Sequence, residues 1–265
     1  SFCTFINKTP SFGKSIICMD NKNLRLLIPK CKKNNLLTYG FNTKANYQIL
    51  NVRKKSQYTV FDIKINFARK KSYKIDNIKI NLIGDHNISN VTAAVAIALN
   101  IGVSIGKIKI ALKKFLGIQR RFTKIFSVGK REFYDDYAHH PTEIKAVIKS
   151  VREVNKNRRI ICVFQPHRYS RVKSLMKEFA LSFKSSNEVV LCPIFSAGEK
   201  VKYKINQANF SKLISKKSKT QVVNIKDKND LKNYFRKNLL TDEIVLCMGA
   251  GSISTWIKEI GDELK

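Results

Sequence analysis

Phe133-Tyr134-Asp135-Asp136-Tyr137-Ala138-His139-His140-Pro141-Thr142-Glu143 places two carboxylates, a tyrosine and two imidazoles within six consecutive positions. Before them, Arg131 to Tyr134 alternate as a strand does. After them, Ile144, Val147, Ile148 and Val151 recur at helical spacing. Pro141 suits the first turn of that helix, and Glu143 suits its positive N-terminal end. The polar cluster is therefore expected where a strand hands over to a helix. In an open α/β sheet that is the carboxyl edge, where ligands bind. A capping turn needs one short polar residue, and a single Asp would serve. Five titratable groups exceed that need, and His is the side chain that changes charge near neutral pH.

Outward from this stretch, strand and helix patterns alternate from Ile125 to the end. Strands are expected at 131–135, 159–164, 188–192, 220–224 and 243–247. Helices are expected at 142–155, 170–184, 207–216, 227–238 and 252–263. That order predicts an α/β fold with a doubly wound, mostly parallel sheet. The near-continuous apolar runs Ile160 to Phe164 and Ile244 to Met248 suit strands covered on both faces.

The first part reads differently. A helix end at Phe2, Phe5 and Ile6 precedes a turn at Pro10 to Gly13 and short strands at Ser15 to Met19 and Leu36 to Tyr39. Alternating segments at 47–52, 58–65, 73–75 and 78–83 predict antiparallel ribbons, separated by the charged turns Arg53-Lys54-Lys55 and Arg69-Lys70-Lys71. Gly84-Asp85-His86-Asn87-Ile88-Ser89-Asn90 then leads into a helix expected over Val91 to Asn100, with Asn87 or Ser89 as its cap. A paired His and Asn beside helix-start amides also suits a nucleotide base or phosphate. A second helix is expected over Ser104 to Phe115, and Gly117 to Phe122 reads as a linker carrying Arg120-Arg121.

Three further clusters fall at expected carboxyl edges. Gln165-Pro166-His167-Arg168-Tyr169-Ser170-Arg171 follows a buried strand, and two guanidiniums three apart can converge on one anion. We expect it to lie beside the acidic-histidine turn, on an adjacent strand end. Glu199, in Ala197-Gly198-Glu199, is a candidate for an ammonium or a basic neighbour. Gly249-Ala250-Gly251-Ser252 looks like a phosphate-cradling turn, but it lacks the six-residue glycine fingerprint, so packing is the safer reading. No GxxxxGK[ST] occurs in this sequence.

Composition narrows the remaining classes. A hydrophobic fraction of 43% supports real cores in 265 residues. No run of 18 apolar residues suggests a membrane span, and Ser1 to Pro10 lacks a signal-peptide pattern. The opening at Ser1, inside an amphipathic pattern, is expected of the back part of a longer protein. The six cysteines are scattered without metal-ligand spacing, as in a reduced, cytoplasmic protein. The formal charge of +32 is mostly Lys, spread along the whole chain. It suits a nucleic-acid surface, but Lys, Asn and Ile share A/T-rich codons and no aromatic stacking platform is interleaved, so genome composition is the more economical cause.

Together the tracts at 135–143, 164–171, 197–199 and 249–251 resemble the Mur ligase family, with Thr9 to Gly13, Gly84 to Asn90 and Arg120-Arg121-Phe122 resembling it upstream. The likeness spans essentially all 265 residues. It implies that residues 1–118 are the C-terminal part of the central, ATP-binding domain, with β ribbons and helices. Residues 119–265 would be the Rossmann-like C-terminal domain. The N-terminal domain, the P-loop half and the main Mg²⁺ ligands would lie outside this sequence. Ala138 stands where many relatives are expected to have Gly.

The implied reaction is ATP-dependent joining of L-alanine to the muramyl carboxylate of UDP-N-acetylmuramate through an acyl phosphate, a step of peptidoglycan precursor synthesis. The resemblance implies His86, Asn87 and Asn90 near the adenine, and Arg121 and Asp136 near the ribose and phosphates. It implies Tyr137, His139, Arg168 and Arg171 near the acyl phosphate and the alanine, with His140 and Glu199 as further substrate contacts. His139, Arg121 and Asp136 are the expected catalytic set; no metal ligands are assigned, and neither nucleic acid nor membrane is an expected partner. The activity would need the N-terminal part, on the same or a separate polypeptide. The alternatives are a non-catalytic remnant of such a ligase and, behind it, a basic nucleic-acid binder.

Overall fold

The computed structural model describes residues 2–31, 35–55, 58–67, 71–200 and 205–264. Arg69 and Lys70 of the second expected charged turn lie outside the described residues. The chain divides into two compact units, residues 1–116 and 117–265.

The first unit contains α1 (Phe2–Asn7), β1 (Ser15–Cys18), α2 (Lys22–Leu27), a 3₁₀ turn over Ile28–Lys30, β2 (Leu36–Gly40), β3 (Tyr47–Lys54), β4 (Thr59–Ile65), β5 (Tyr73–Ile80), α3 (Asp85–Asn100) and α4 (Ile105–Lys114). Its sheet runs β1-β2-β3-β4-β5. The first three strands pair in parallel, and β3, β4 and β5 form the expected antiparallel ribbons. Phe61, Ile63, Ile75 and Ile78 from the ribbons meet Ile88, Val91 and Val95 of α3 in one core.

Several local readings change. The segments at 73–75 and 78–83 join in one strand, β5, which stops at Ile80 and has an irregularity where Asn77 takes φ +53° and its N–H donates to Asp62 Oδ1 at 2.8 Å. Arg53 and Lys54 belong to β3 rather than to a turn. Leu24 to Leu27 is helical, capped by Asn21 Oδ1 accepting from Asn23 and Leu24 N–H. The helix expected from Val91 starts six residues earlier, at Asp85. Gly84, at φ +95°, turns the chain into it, in a conformation that glycine adopts without steric cost. Neither Asn87 nor Ser89 is the cap.

The second unit holds β6 (Thr123–Val128), β7 (Arg131–Asp136), α5 (Pro141–Val154), β8 (Arg159–Phe164), α6 (Tyr169–Ser174), α7 (Met176–Ala180), β9 (Glu188–Leu191), α8 (Gln207–Ser218), β10 (Gln221–Asn224), α9 (Lys228–Asn238), β11 (Glu243–Met248) and α10 (Ile253–Leu264). Its strands run in the order β10-β9-β8-β11-β7-β6. All neighbours are parallel except β6 with β7. The expected helix over 170–184 is broken at Leu175 into α6 and α7. β6 was not expected; it is an antiparallel edge strand joined to β7 by the turn at Gly129. β8 and β11 are buried along nearly their whole length, as continuous apolar runs require.

One correction bears on the site. β7 and β8 are not neighbours: β11 lies between them and pairs with both. Sequence order alone does not reveal that the last strand inserts into the middle of the sheet.

Candidate functional site

The carboxyl ends of β7, β11 and β8 form one edge. The middle strand leaves it as Gly249-Ala250-Gly251, and this smallness lets the flanking loops meet. A Cβ on Gly249 would lie 2.7 Å from Gln165 O. One on Gly251 would lie 2.5 Å from Gln165 Oε1 and 2.6 Å from Phe195 Cγ. Gln165 is buried and occupies the start of α10: its Nε2 donates to Ser252 Oγ at 2.9 Å and its Oε1 accepts from Ile253 N–H at 3.0 Å. That amide is already used, which agrees with the packing reading of the glycine turn.

Over this turn the two outer loops touch. The His139 and His167 rings lie 5.8 Å apart, and Tyr137 meets His139 edge-on at 5.1 Å. His167 stacks on Phe195 at 5.5 Å, where a single bridge joins the two backbones. Arg171 Nη1 sits 3.4 Å from both the ring Nδ1 and the carbonyl of His167. Arg120 and Arg121 place their guanidinium carbons 4.8 and 5.7 Å from the centre of the Tyr137 ring. His139 and His167 thus meet across the end of β11, the strand that the linear order hides.

The adjacent aspartates take different partners because successive strand residues face opposite sides. Asp136 is buried, and its oxygens accept from Ala138 N–H at 2.7 Å and Phe122 N–H at 2.8 Å. Burial pushes its pKa up to about 6, against those two bonds and the Arg121 charge. It staples the Arg120-Arg121-Phe122 bend, where Arg120 and Phe122 both have positive φ, to the start of the histidine turn. Asp135 accepts from Ser254 Oγ at 2.5 Å and lies 3.4 Å from Arg120 Nε, while its Oδ1 has no hydrogen-bond partner among the described residues. Arg120 also donates to Gly249 O at 2.7 Å.

His140 caps a helix. Its Nδ1 accepts from Thr142 N–H at 3.3 Å, at the N-cap of α5. The cap of this turn is thus a histidine and not an aspartate. Glu143 closes it from within the helix, accepting from the N–H groups of His139 and His140 at 3.1 and 3.3 Å. The His139 ring Nδ1 is 2.9 Å from Tyr137 O. A carbonyl oxygen only accepts, so Nδ1 carries a proton.

His167 receives a cation at its Nδ1, which makes Nε2 its protonated atom. Burial, then the charges of Arg171, His139 and Arg168, holds its pKa below the usual imidazole range. Glu199 accepts from Ser170 Oγ and, at 3.2 Å, from Ser170 N–H at the start of α6; these bonds lower its pKa. Arg168, exposed at φ +70°, precedes that helix.

Arg121, Asp136, Tyr137, His139, His140, Arg168, Arg171 and Glu199 therefore gather on one unit. His86, Asn87 and Asn90 belong to the other, inside the first two turns of α3. There Asn87 Nδ2 donates to Ile83 O at 2.9 Å and Asn90 is exposed. Asp135, Arg120 and His167 stood inside the quoted tracts without an assigned role, and Ser254 was not singled out. The doubled Asp and doubled Arg were visible signals for two of them; Ser254 carried none.

An open α/β edge carrying several cations, two opposed imidazoles and buried carboxylates has the chemistry that suits an anionic ligand. Comparison with known proteins makes this specific. The family pattern described as "Mur ligase, glutamate ligase domain" matches residues 120–251, and "Mur ligase middle domain" matches residues 1–98. The chain belongs to the Mur ligase family.

It is 49% identical over 259 residues to the UDP-N-acetylmuramate–L-alanine ligase of Pelagibacter ubique, covering 98% of this chain and 56% of that protein. It is 35% identical over 255 residues to the protein of the same name from Dinoroseobacter shibae, covering 96% and 54%. The chain thus spans about half the length of the curated relatives it matches. In fold it is similar to a UDP-N-acetylmuramate–alanine ligase from Thermotoga maritima, with TM-score 0.67, 23% identity and coverage of 86% of this chain and 47% of that one. It is also similar to a murein peptide ligase from Psychrobacter arcticus, with TM-score 0.70, 19% identity and coverage of 99% and 53%.

Among the described residues no helix is long and apolar enough to cross a membrane.

Proposed function

We propose that this chain is the ATP- and amino-acid-side portion of a ligase that joins L-alanine to the muramyl carboxylate of UDP-N-acetylmuramate through an acyl phosphate, for peptidoglycan precursor synthesis. The observation that carries the reading is the meeting of His139, His167, Arg171 and Tyr137 over the Gly249-Ala250-Gly251 turn, in a chain whose named relatives are ligases of that substrate pair. Residues 1–118 are read as the later part of the central domain and residues 119–265 as the C-terminal domain, acting in the cytoplasm together with the N-terminal portion.

The chemistry asks for three things. Negative charge grows on the phosphorylated carboxylate and must be met by fixed cations; Arg121, Arg168 and Arg171 supply them. The alanine nitrogen must lose a proton before it attacks; Nε2 of His139 is the acceptor. The departing phosphate oxygen gains from a donor; the protonated Nε2 of His167 is the proposed one, in a ring whose pKa is held below the usual range. Asp136 acts by holding the arginine bend against the histidine turn, and Tyr137 by carrying both guanidiniums on its ring. His140 and Glu199 set the starts of α5 and α6. His86, Asn87 and Asn90 are proposed for the adenine. Among the described residues no three His, Cys, Asp or Glu side chains gather into a metal-sized group; the main Mg²⁺ ligands are proposed to belong to the N-terminal portion.

The test is ligation assayed with ATP, Mg²⁺, UDP-N-acetylmuramate and L-alanine, with the N-terminal portion present and absent. Product only when both portions are present supports the reading. No product from the reunited protein would favour the non-catalytic remnant.

A further inference from the structure

Away from the site, in the first unit, two thiols 28 positions apart in sequence lie against each other. Cys31 Sγ is 3.7 Å from Cys3 Sγ. Forming a disulfide needs the sulfurs to close to about 2.05 Å, a small movement for two side chains at the end of a short helix and a 3₁₀ turn. The contact is built in. Cys31 is buried with Ile6 and Ile17, and Cys3, Leu24 and Leu36 pack against that cluster. Asn7 Nδ2 donates to Cys3 Sγ at 3.6 Å, and the Cys31 thiol faces the same sulfur, with Leu27 O at 3.2 Å as its other acceptor. Cys3 is the more exposed of the pair. Access decides which thiol an oxidant meets first, and here that is Cys3.

The other four cysteines lack this arrangement. Cys162, Cys192 and Cys247 are fully buried in the second sheet, where burial raises their thiol pKa values. Cys18 lies against the Tyr39 hydroxyl.

We propose that Cys3 and Cys31 form a redox-active dithiol, an oxidation site that a hydroperoxide converts to an intramolecular disulfide. The Cys3 thiolate attacks the peroxide O–O bond, becoming a sulfenic acid as the alcohol or water leaves. The Cys31 thiol then displaces hydroxide from that sulfur, and the hydroxide leaves as water with the Cys31 proton as the S–S bond forms. Two thiols are oxidised by two electrons, and one peroxide is reduced. The new bond replaces the S–H donations to Lys30 O and Leu27 O and ties α1 to the 3₁₀ turn. It brackets the Thr9 to Gly13 tract, which Asn35 Nδ2 holds at Pro10 O at 2.8 Å.

Hydrogen peroxide added to the reduced chain, followed by alkylation, digestion and mass spectrometry, tests this. The expected result is a loss of two hydrogens from the intact mass, with the Cys3 and Cys31 peptides recovered as one dithiothreitol-sensitive pair. The unfolding temperature of the oxidised chain rises by about 5 °C, because a closed loop of this length restricts the unfolded state. Cys3→Ser loses the joined pair and keeps its far-ultraviolet spectrum. Joining to any other cysteine, sulfinic or sulfonic acid on Cys3 without a link, or both thiols still open to alkylation would each overturn the proposal. The link is read on the unsubstituted chain, so the result does not depend on a variant folding.

Discussion

The two ends of the second sheet both carry arginines, and they use them in opposite ways. At the amino end, Arg152, Arg158 and Arg159 are all consumed. Arg159 bridges Glu188 at 2.5 Å and Glu243 at 2.7 Å. Arg158 pairs with Glu132 and Asp242 and donates to Lys130 O and Glu243 O. Arg152 donates to the carbonyls of Ser185, Asn155, Lys156 and Arg158 and to Asn187 Oδ1.

At the carboxyl end, Arg121 reaches Glu143 only at 3.9 Å and Arg171 leans on a histidine. A cleft of about 560 Å³ at the amino end, lined by Arg152, Lys156, Arg158, Arg159 and Lys184, is therefore a weaker anion site than its charge suggests, because its arginines are already neutralised or hydrogen-bonded. Charge that is spent holds a fold together; charge left over can meet a ligand.

The sharpest way to break this contrast is Arg159→Ala. It strands Glu188 and Glu243, both buried, with Tyr234 OH and Leu240 N–H as the donors left to them among the described residues. The expected cost is about 3–5 kcal/mol of unfolding free energy, read by urea denaturation, with a lower midpoint and unchanged slope. A change under about 1 kcal/mol would show that the amino-end charges are surface decoration.

Arg171→Ala at the other end should do the reverse. Stability moves by less than about 1 kcal/mol. Turnover of the complete ligase falls about 100- to 1000-fold, equivalent to about 3–4 kcal/mol of transition-state stabilisation. Equal activity in a folded variant removes Arg171 from the site.

The smallest effect is a difference in pH response. Glu132 is half-buried, but Lys124 and Arg158 outweigh the lost hydration and hold its carboxyl below the usual range. Asp136 has mainly backbone amides for company, and burial carries it up to about 6. The signs are opposite. Glu132 contributes stability that is present above the ordinary glutamate range, about 4.3, and is lost as pH falls through its lowered folded value. Asp136 binds its proton more tightly when folded, so its contribution grows as pH falls from about 6 to about 4 and is absent above that window. Carboxyl carbon titration by NMR should separate the two midpoints, Asp136 high and Glu132 low. Coincident midpoints would erase the distinction between the two ends.

Much of this was visible in the linear order. Strands covered on both faces read as unbroken apolar runs, so Ile160 to Phe164 and Ile244 to Met248 declared a parallel sheet. Helical spacing after Pro141 located α5, and the clustering of Asp, Tyr and His marked the edge that matters. Other features depended on partners far along the chain. β6 has a buried side because Phe126 packs on Phe133 and against Gly261 of α10. The start of α3 was placed late because the polar residues from Asp85 to Asn90 obscure its first turns. The Ser254 contact to Asp135 spans 119 positions, beyond any local pattern. His167 reaches His139 across the end of a third strand, so its part in the site is equally hidden from its own neighbours in sequence.

Residue order by itself determined the alternation of elements, the composition of the polar turns and the family they mark, because these follow from local spacing and side-chain chemistry. Only the tertiary structure decided that β11 stands between β7 and β8, that its Gly-Ala-Gly exit is small enough for the two histidine loops to meet, and that adjacent Asp135 and Asp136 serve different partners. Strand order and burial are set by long-range packing, which no stretch of neighbouring residues contains.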